Sequence, residues 1–111
     1  MEQIFNKLVR DKIPEIIKNN GEESITRVLS DEEYRAELYK KLLEEANEVI
    51  TSQGTESTIE ELADVLEVLI SLAELDNKDL NDVIEISNQK RLKRGGFEKR
   101  IFLEKTYSKD K

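Results

Sequence analysis

Apolar residues return at helical spacing along most of the chain. Tyr34, Leu38, Leu42, Val49 and Ile50 make one stripe, and Ser30 with Glu33 three residues later forms the capping box that opens such a helix. The spacing predicts a long helix to about Gln53, stopped by Gly54. A second series, Leu62, Ala63, Leu66, Leu69, Ile70 and Ala73, follows the pair Thr58 and Glu61, so a third helix is expected to open on a capping box and run to about Leu75. Asp79 stands ahead of a fourth helix through Leu80, Val83, Ile84 and Leu92, closed by Gly95 with basic residues in its last turn, where the helix dipole favours them. Near the front, Asp11 is placed to cap a short first helix carrying Pro14 early and ended by "NNG" at 19–21. The stretch "EESITRVL" at 22–29 alternates weakly, but a lone strand has nothing to pair with, and it reads as extended linker. An extended tail is expected after Gly96.

These elements predict an all-α single domain over residues 1–111, a four-helix bundle. Helices two and three, joined only by "GTES", should fold back as a central antiparallel hairpin. The apolar arc of helix three covers about half its wheel, wider than one neighbour needs, while Val68 and Leu75 break into its acidic side. An oligomer follows as the expectation, a homodimer or homotetramer, in which one subunit could complete its neighbour's site.

One residue interrupts the stripe of helix two. Glu45 projects between Tyr34 and Leu38 with Leu42 and Val49 beside it, an address where a carboxylate is stable only if paired or bound to a cation. Glu48 lies at the edge of the same stripe and Glu44 on the flank. In a hairpin rising about 1.5 Å per residue, Glu45, Glu48, Glu61 and Asp64 fall within about a turn and a half of one another. Two such charges about 5 Å apart repel by roughly 3 kcal/mol at an effective dielectric of 20, which protonation or a divalent ion relieves. The bland alternative is that Glu61, Asp64, Glu67 and Glu74 form a solvated face and that Glu45 pairs with Lys41 or a terminal arginine. Spacing alone leaves both open.

Composition narrows the chemistry. The chain has 111 residues, 37% hydrophobic, with no cysteine and no histidine, so disulfides, thiolate zinc sites and imidazole bases are excluded. It carries no G-x-x-x-x-G-K-[ST] phosphate loop. What remains is carboxylate chemistry through a hard cation, Mg²⁺, Mn²⁺ or Ca²⁺, of which Mg²⁺ in particular commonly shares its shell with substrate phosphates. The net charge of −7 argues against nucleic-acid and anionic-membrane partners, and no segment resembles a secretory leader or membrane span, so a cytoplasmic setting is expected. Acids fill the middle and bases gather at the ends. Lys7, Arg10 and Lys12, then Lys93 and Arg94, are the candidates to grip phosphates, though most such side chains merely solvate a surface. Gly96 could admit a phosphate or base and Phe97 could stack on the base; as readily they are loop and core residues.

Read together, "EEANE" at 44–48, a spacer over 49–60, and "ELAD" at 61–64 resemble the E-x-x-E, spacer, E-x-x-D signature of MazG-like all-α nucleoside triphosphate pyrophosphohydrolases. "NKLVRDKIPEII" at 6–17 and "KRGGFEKRIFLEKT" at 93–106 are similar to the flanks of a small subgroup labelled after phosphoribosyl-ATP pyrophosphohydrolase. The resemblance implies Mg²⁺-dependent hydrolysis of a nucleoside triphosphate to the monophosphate and pyrophosphate. It implies Glu45, Glu48, Glu61 and Asp64 as metal ligands, with Glu44 orienting or deprotonating water. Phosphoribosyl-ATP hydrolases of histidine biosynthesis typically carry a histidine just after the second acidic pair, as in D-L-x-x-H, whereas "DVLEV" at 64–68 has none. House-cleaning of ordinary or damaged nucleotides is therefore the expected role. The alternatives are phosphoribosyl-ATP hydrolysis and a non-catalytic helical interaction module.

Overall fold

The computed structural model describes residues 2–52, 54 and 56–109. Four helices appear in chain order, with no strand among the described residues: α1 (Ile13–Asn19), α2 (Asp31–Thr51), α3 (Ser57–Leu75) and α4 (Leu80–Arg94). Two compact units divide the chain, Met1–Leu80 and Asn81–Lys111.

In the first unit, α2 opens as its sequence dictates. The Ser30 hydroxyl accepts from the Glu33 amide at 3.2 Å while the Glu33 carboxylate accepts from the Ser30 amide at 3.2 Å. Arg27 adds a guanidinium bond to Glu33 at 3.1 Å and, through it first, holds that carboxyl below its ordinary pKa. The preceding segment 22–29 is irregular, with Ile25 and Val28 fully in solvent, in keeping with a linker. α1 ends at the predicted turn, where Gly21 takes φ +87°, a left-handed value glycine reaches without strain.

Two expected caps did not form. Lys12, not Asp11, stands at the N-terminus of α1, and no side chain caps it; the turn is closed instead by the Ile13 amide donating to the Arg10 carbonyl at 3.1 Å. At the start of α3, Glu56 occupies the cap position without a side-chain bond, and Thr58 is already inside the helix. Its hydroxyl donates to the Ser52 carbonyl at 2.6 Å. The helix starts at Ser57, before Thr58 can serve as its cap, and in the tight connection the hydroxyl donates instead to the carbonyl end of α2. α2 itself closes at Thr51, short of Gln53, which lies outside the described residues.

Helices α2 and α3 pack antiparallel, and Arg35 near the start of α2 meets Asp76 past the end of α3 at 2.9 Å, which fixes that register. Leu38 (3% exposed) and Val68 (6%) form the dry centre of the contact, flanked by half-buried Tyr34, Leu42 and Val49 on one helix and Val65, Leu72 and Leu75 on the other. The inward side of α3 is thus the narrow stripe of Val68 and Leu75 that also carries Glu61 and Asp64. The broad arc faces out. Ile59, Leu62, Leu66 and Leu69 are exposed, as are Tyr39, Leu43 and Ile50 of α2. Turning about 100° per residue from Leu38 and Val68, Tyr39, Leu43, Ile50, Leu62 and Leu69 point to one edge of the hairpin, with Leu66 and Ile59 turned further, toward the outer face of α3, while Glu44, Glu48 and Glu67 turn to the opposite edge. The narrow stripe of α2 selects the matching narrow stripe of α3, and one hairpin therefore shows an apolar edge and an acidic one.

In the second unit, α4 ends at Gly95, whose φ of +83° and amide bond to the Arg91 carbonyl at 2.8 Å make the expected helix stop. Arg91 pairs with Glu98 at 3.4 Å, and residues 101–109 form no regular element and are exposed.

Candidate metal centre

The α2 stripe brings Glu45 inward, and its side chain is 15% exposed. The cation it meets on its own helix is Lys41, one turn back, with Nζ 3.7 Å from Glu45 Oε1 and 3.4 Å from Glu44 Oε1. From across the groove, α3 presents Glu61 and Asp64. One carboxylate oxygen from each of Glu45, Glu61 and Asp64 lies within 4.8 Å of the others. The hairpin register brings them together, because Glu45 sits on the Leu38 side of α2 and Glu61 and Asp64 on the Val68 side of α3.

Electrostatics mark the same place. The Glu61 carboxyl is raised above its ordinary pKa, first by loss of solvent and then by the charges of Glu48, Asp64, Glu45 and Glu60. Glu48 is therefore close enough to act on Glu61, although it is exposed and stands outside the tight trio. Asp64 has a cationic partner: Arg10 Nη2 reaches its Oδ1 at 2.7 Å, and Arg10 Nη1 lies 4.0 Å from Glu67 Oε1. Carboxylates outnumber cations in this cluster, since Lys41 and Arg10 stand against Glu44, Glu45, Glu48, Glu61, Asp64 and Glu67. An all-oxygen, hard, net-negative donor set of this kind suits Mg²⁺ or Mn²⁺.

Of the residues singled out from sequence, Glu45, Glu61 and Asp64 meet directly, with Glu48 beside them and Glu44 held on the flank by Lys41. Among the basic candidates, Arg10 reaches the cluster, while Lys7 and Lys12 are exposed on the same N-terminal segment. Lys93 and Arg94 close α4 in the second unit, followed by Gly96 and by Phe97, which is exposed. Sequence reasoning left Glu67 on a solvated face; its spacing of three from Asp64 was the signal that both could hold one guanidinium.

Comparison with known proteins points the same way. The chain matches the family described as phosphoribosyl-ATP pyrophosphohydrolase over residues 5–91. A protein of Mycolicibacterium smegmatis (strain ATCC 700084 / mc(2)155) described as uncharacterized is 43% identical over 54 residues, covering 49% of this chain and 55% of that protein. The chain thus spans little more than half the length of that relative, and no solved structure matches it. With Arg10, the whole carboxylate cluster and both hairpin helices inside the matched range, the chain belongs to the phosphoribosyl-ATP pyrophosphohydrolase family of the MazG-like all-α superfamily.

Proposed function

We propose that this protein is a Mg²⁺-dependent nucleoside triphosphate pyrophosphohydrolase, with Mn²⁺ as an alternative ion, that releases a monophosphate and pyrophosphate. Family membership supplies the reaction class, hydrolysis of a pyrophosphate linkage. The observation that carries the reading is the meeting of Glu45, Glu61 and Asp64 across the hairpin groove, with Glu61 already disfavoured as an anion.

In this reading Glu45, Glu48, Glu61 and Asp64 hold the ion. When bound, the ion neutralises charge on the phosphates and polarises water. Lys41, one turn back, holds both Glu44 and Glu45, and Glu44, exposed at the rim, orients the attacking water and takes its proton. Arg10, Lys7 and Lys12 grip the polyphosphate from the N-terminal segment, a role the absence of a phosphate loop leaves to side chains. Lys93, Arg94, Gly96 and Phe97 are the candidates for further phosphate and base contacts. The substrate is an ordinary or damaged nucleotide of the cytoplasmic pool, because "DVLEV" lacks the histidine typical of the histidine-biosynthesis enzymes. No helix among the described residues is long and apolar enough to cross a membrane.

A second reading, phosphoribosyl-ATP as substrate, is favoured by the family description itself. Pyrophosphate release measured across nucleoside triphosphates and phosphoribosyl-ATP separates the two. Turnover of several triphosphates supports house-cleaning, and turnover of phosphoribosyl-ATP alone supports the second reading. No turnover with either ion would leave a non-catalytic helical module.

The apolar edge supports a second copy of the chain as partner. With Leu38 and Val68 as the dry centre among the described residues, one hairpin closes little core. The exposed side chains of that edge amount to roughly 700 Å², near the ~800 Å² each partner gives a standard interface. Paired there, two hairpins make a four-helix bundle that leaves both acidic edges open.

A further inference from the structure

We propose that Arg10 is an exchange residue: its guanidinium holds Asp64 in the metal-free protein, yields Asp64 to the cation when metal binds, and then takes the polyphosphate. This rests on the metal-site reading above.

Three observations carry it. The first is the contact, since Arg10 Nη2 lies 2.7 Å from Asp64 Oδ1, on a carboxylate that belongs to the trio a cation would need. A guanidinium and a divalent ion on the same carboxylate repel each other, so each weakens the other's hold on Asp64. The second is mobility with an anchored base. The Arg10 side chain is 58% exposed, whereas its carbonyl is fixed by the Ile13 amide at the mouth of α1. The side chain can swing while its root stays beside the cluster. The third is chemical, because the planar fork of arginine pairs equally well with carboxylate and phosphate, so it can leave one oxyanion for another. Glu67, 4.0 Å from Nη1, is a resting point between the two.

An exchange has a signature that a static prop lacks. If Arg10 merely oriented Asp64 as a ligand, removing it would loosen metal binding. If Arg10 competes with the metal, removing it tightens metal binding, and an exposed ion pair of this kind corresponds to about a two- to fivefold gain. The same change weakens nucleotide. In the intact protein metal and nucleotide should each strengthen the other's binding, a reciprocity that Arg10 partly carries.

The test is Mn²⁺ titration of the full chain, followed by the paramagnetic resonance signal of free Mn²⁺, with and without a non-hydrolysable nucleoside triphosphate analogue. Wild type, Arg10→Gln, Arg10→Lys and Glu61→Gln are compared, each checked for a cooperative thermal transition. The expected result is a two- to fivefold tighter Mn²⁺ site in Arg10→Gln and intermediate behaviour in Arg10→Lys. With Mn²⁺ saturating, the analogue should bind at least about tenfold more weakly to Arg10→Gln, the loss of a charge-assisted bond to phosphate. Unchanged or weaker Mn²⁺ binding in Arg10→Gln, or unchanged analogue binding, overturns the exchange while leaving the metal site standing. Wild type that binds Mn²⁺ no better than Glu61→Gln removes the metal site, and the exchange with it.

Discussion

Replacing Leu66 by glutamate probes the outward apolar edge of the hairpin. Leu66 is 41% exposed in one chain, so self-association has somewhat under half of its side chain left to bury. Full burial of a leucine contributes about 1.5–3 kcal/mol, which leaves roughly 0.6–1.2 kcal/mol per copy and about twice that in a symmetric pair. A dimer should therefore weaken by about 10- to 60-fold from lost contact alone, and a carboxylate forced into the seam adds several kcal/mol more. Sedimentation velocity over a micromolar concentration series reads this directly. Ile25→Glu is the control: Ile25 is fully exposed on the linker, outside both hairpin helices, and its replacement should leave the assembly unchanged. A Leu66→Glu protein that sediments like wild type, or a wild type that is monomeric throughout, refutes the seam.

Two further outcomes follow from the same geometry. Because the folded pKa of Glu61 lies above its unfolded value, folding of the metal-free protein is favoured most below the unfolded carboxylate pKa by this group. That contribution is lost as pH rises through the folded value. Glu61→Gln should flatten that part of the urea-midpoint profile, and a profile as steep as wild type would show that the crowding of Glu61 is not felt. At the other end of the hairpin, Ser30→Ala removes a cap that accepts the Glu33 amide and should cost about 1 kcal/mol in chemical denaturation; an unchanged midpoint would mean the box contributes nothing.

The parts of the fold that were legible in the sequence were those decided locally. Ser30 and Glu33 need only each other and three residues of helix, and Gly21 and Gly95 need only their own φ, so these boundaries fell where the pattern placed them. Thr58 shows the limit. The helix starts one residue before it, and its hydroxyl finds its acceptor, the Ser52 carbonyl, back across the turn, where the tight connection and not the local pattern places it. The facing of α3 was left open by the sequence for a related reason. A wheel favours the widest apolar arc, but packing on α2 is set by the width of the α2 stripe, which Val68 and Leu75 match. The same distinction runs through the site. Glu45 stood out because its neighbours on the wheel are apolar, and hairpin geometry then brought Glu61 and Asp64 to it. The bond between Arg10 and Asp64 joins residues 54 positions apart, and charge alone could not choose it among the chain's many acids.

The central claim is that the acidic groove between α2 and α3 is a divalent-cation site, and thermal unfolding with and without millimolar Mg²⁺ or Mn²⁺, in wild type and Glu61→Gln, tests it most directly. Binding to the folded state at a hundredfold excess over the dissociation constant adds about 2.7 kcal/mol, which for a chain of this size raises the midpoint by roughly 10–20 °C. The account expects that rise in wild type and its loss in Glu61→Gln. Equal midpoints with and without the ion in wild type, or an equal rise in both proteins, would contradict it.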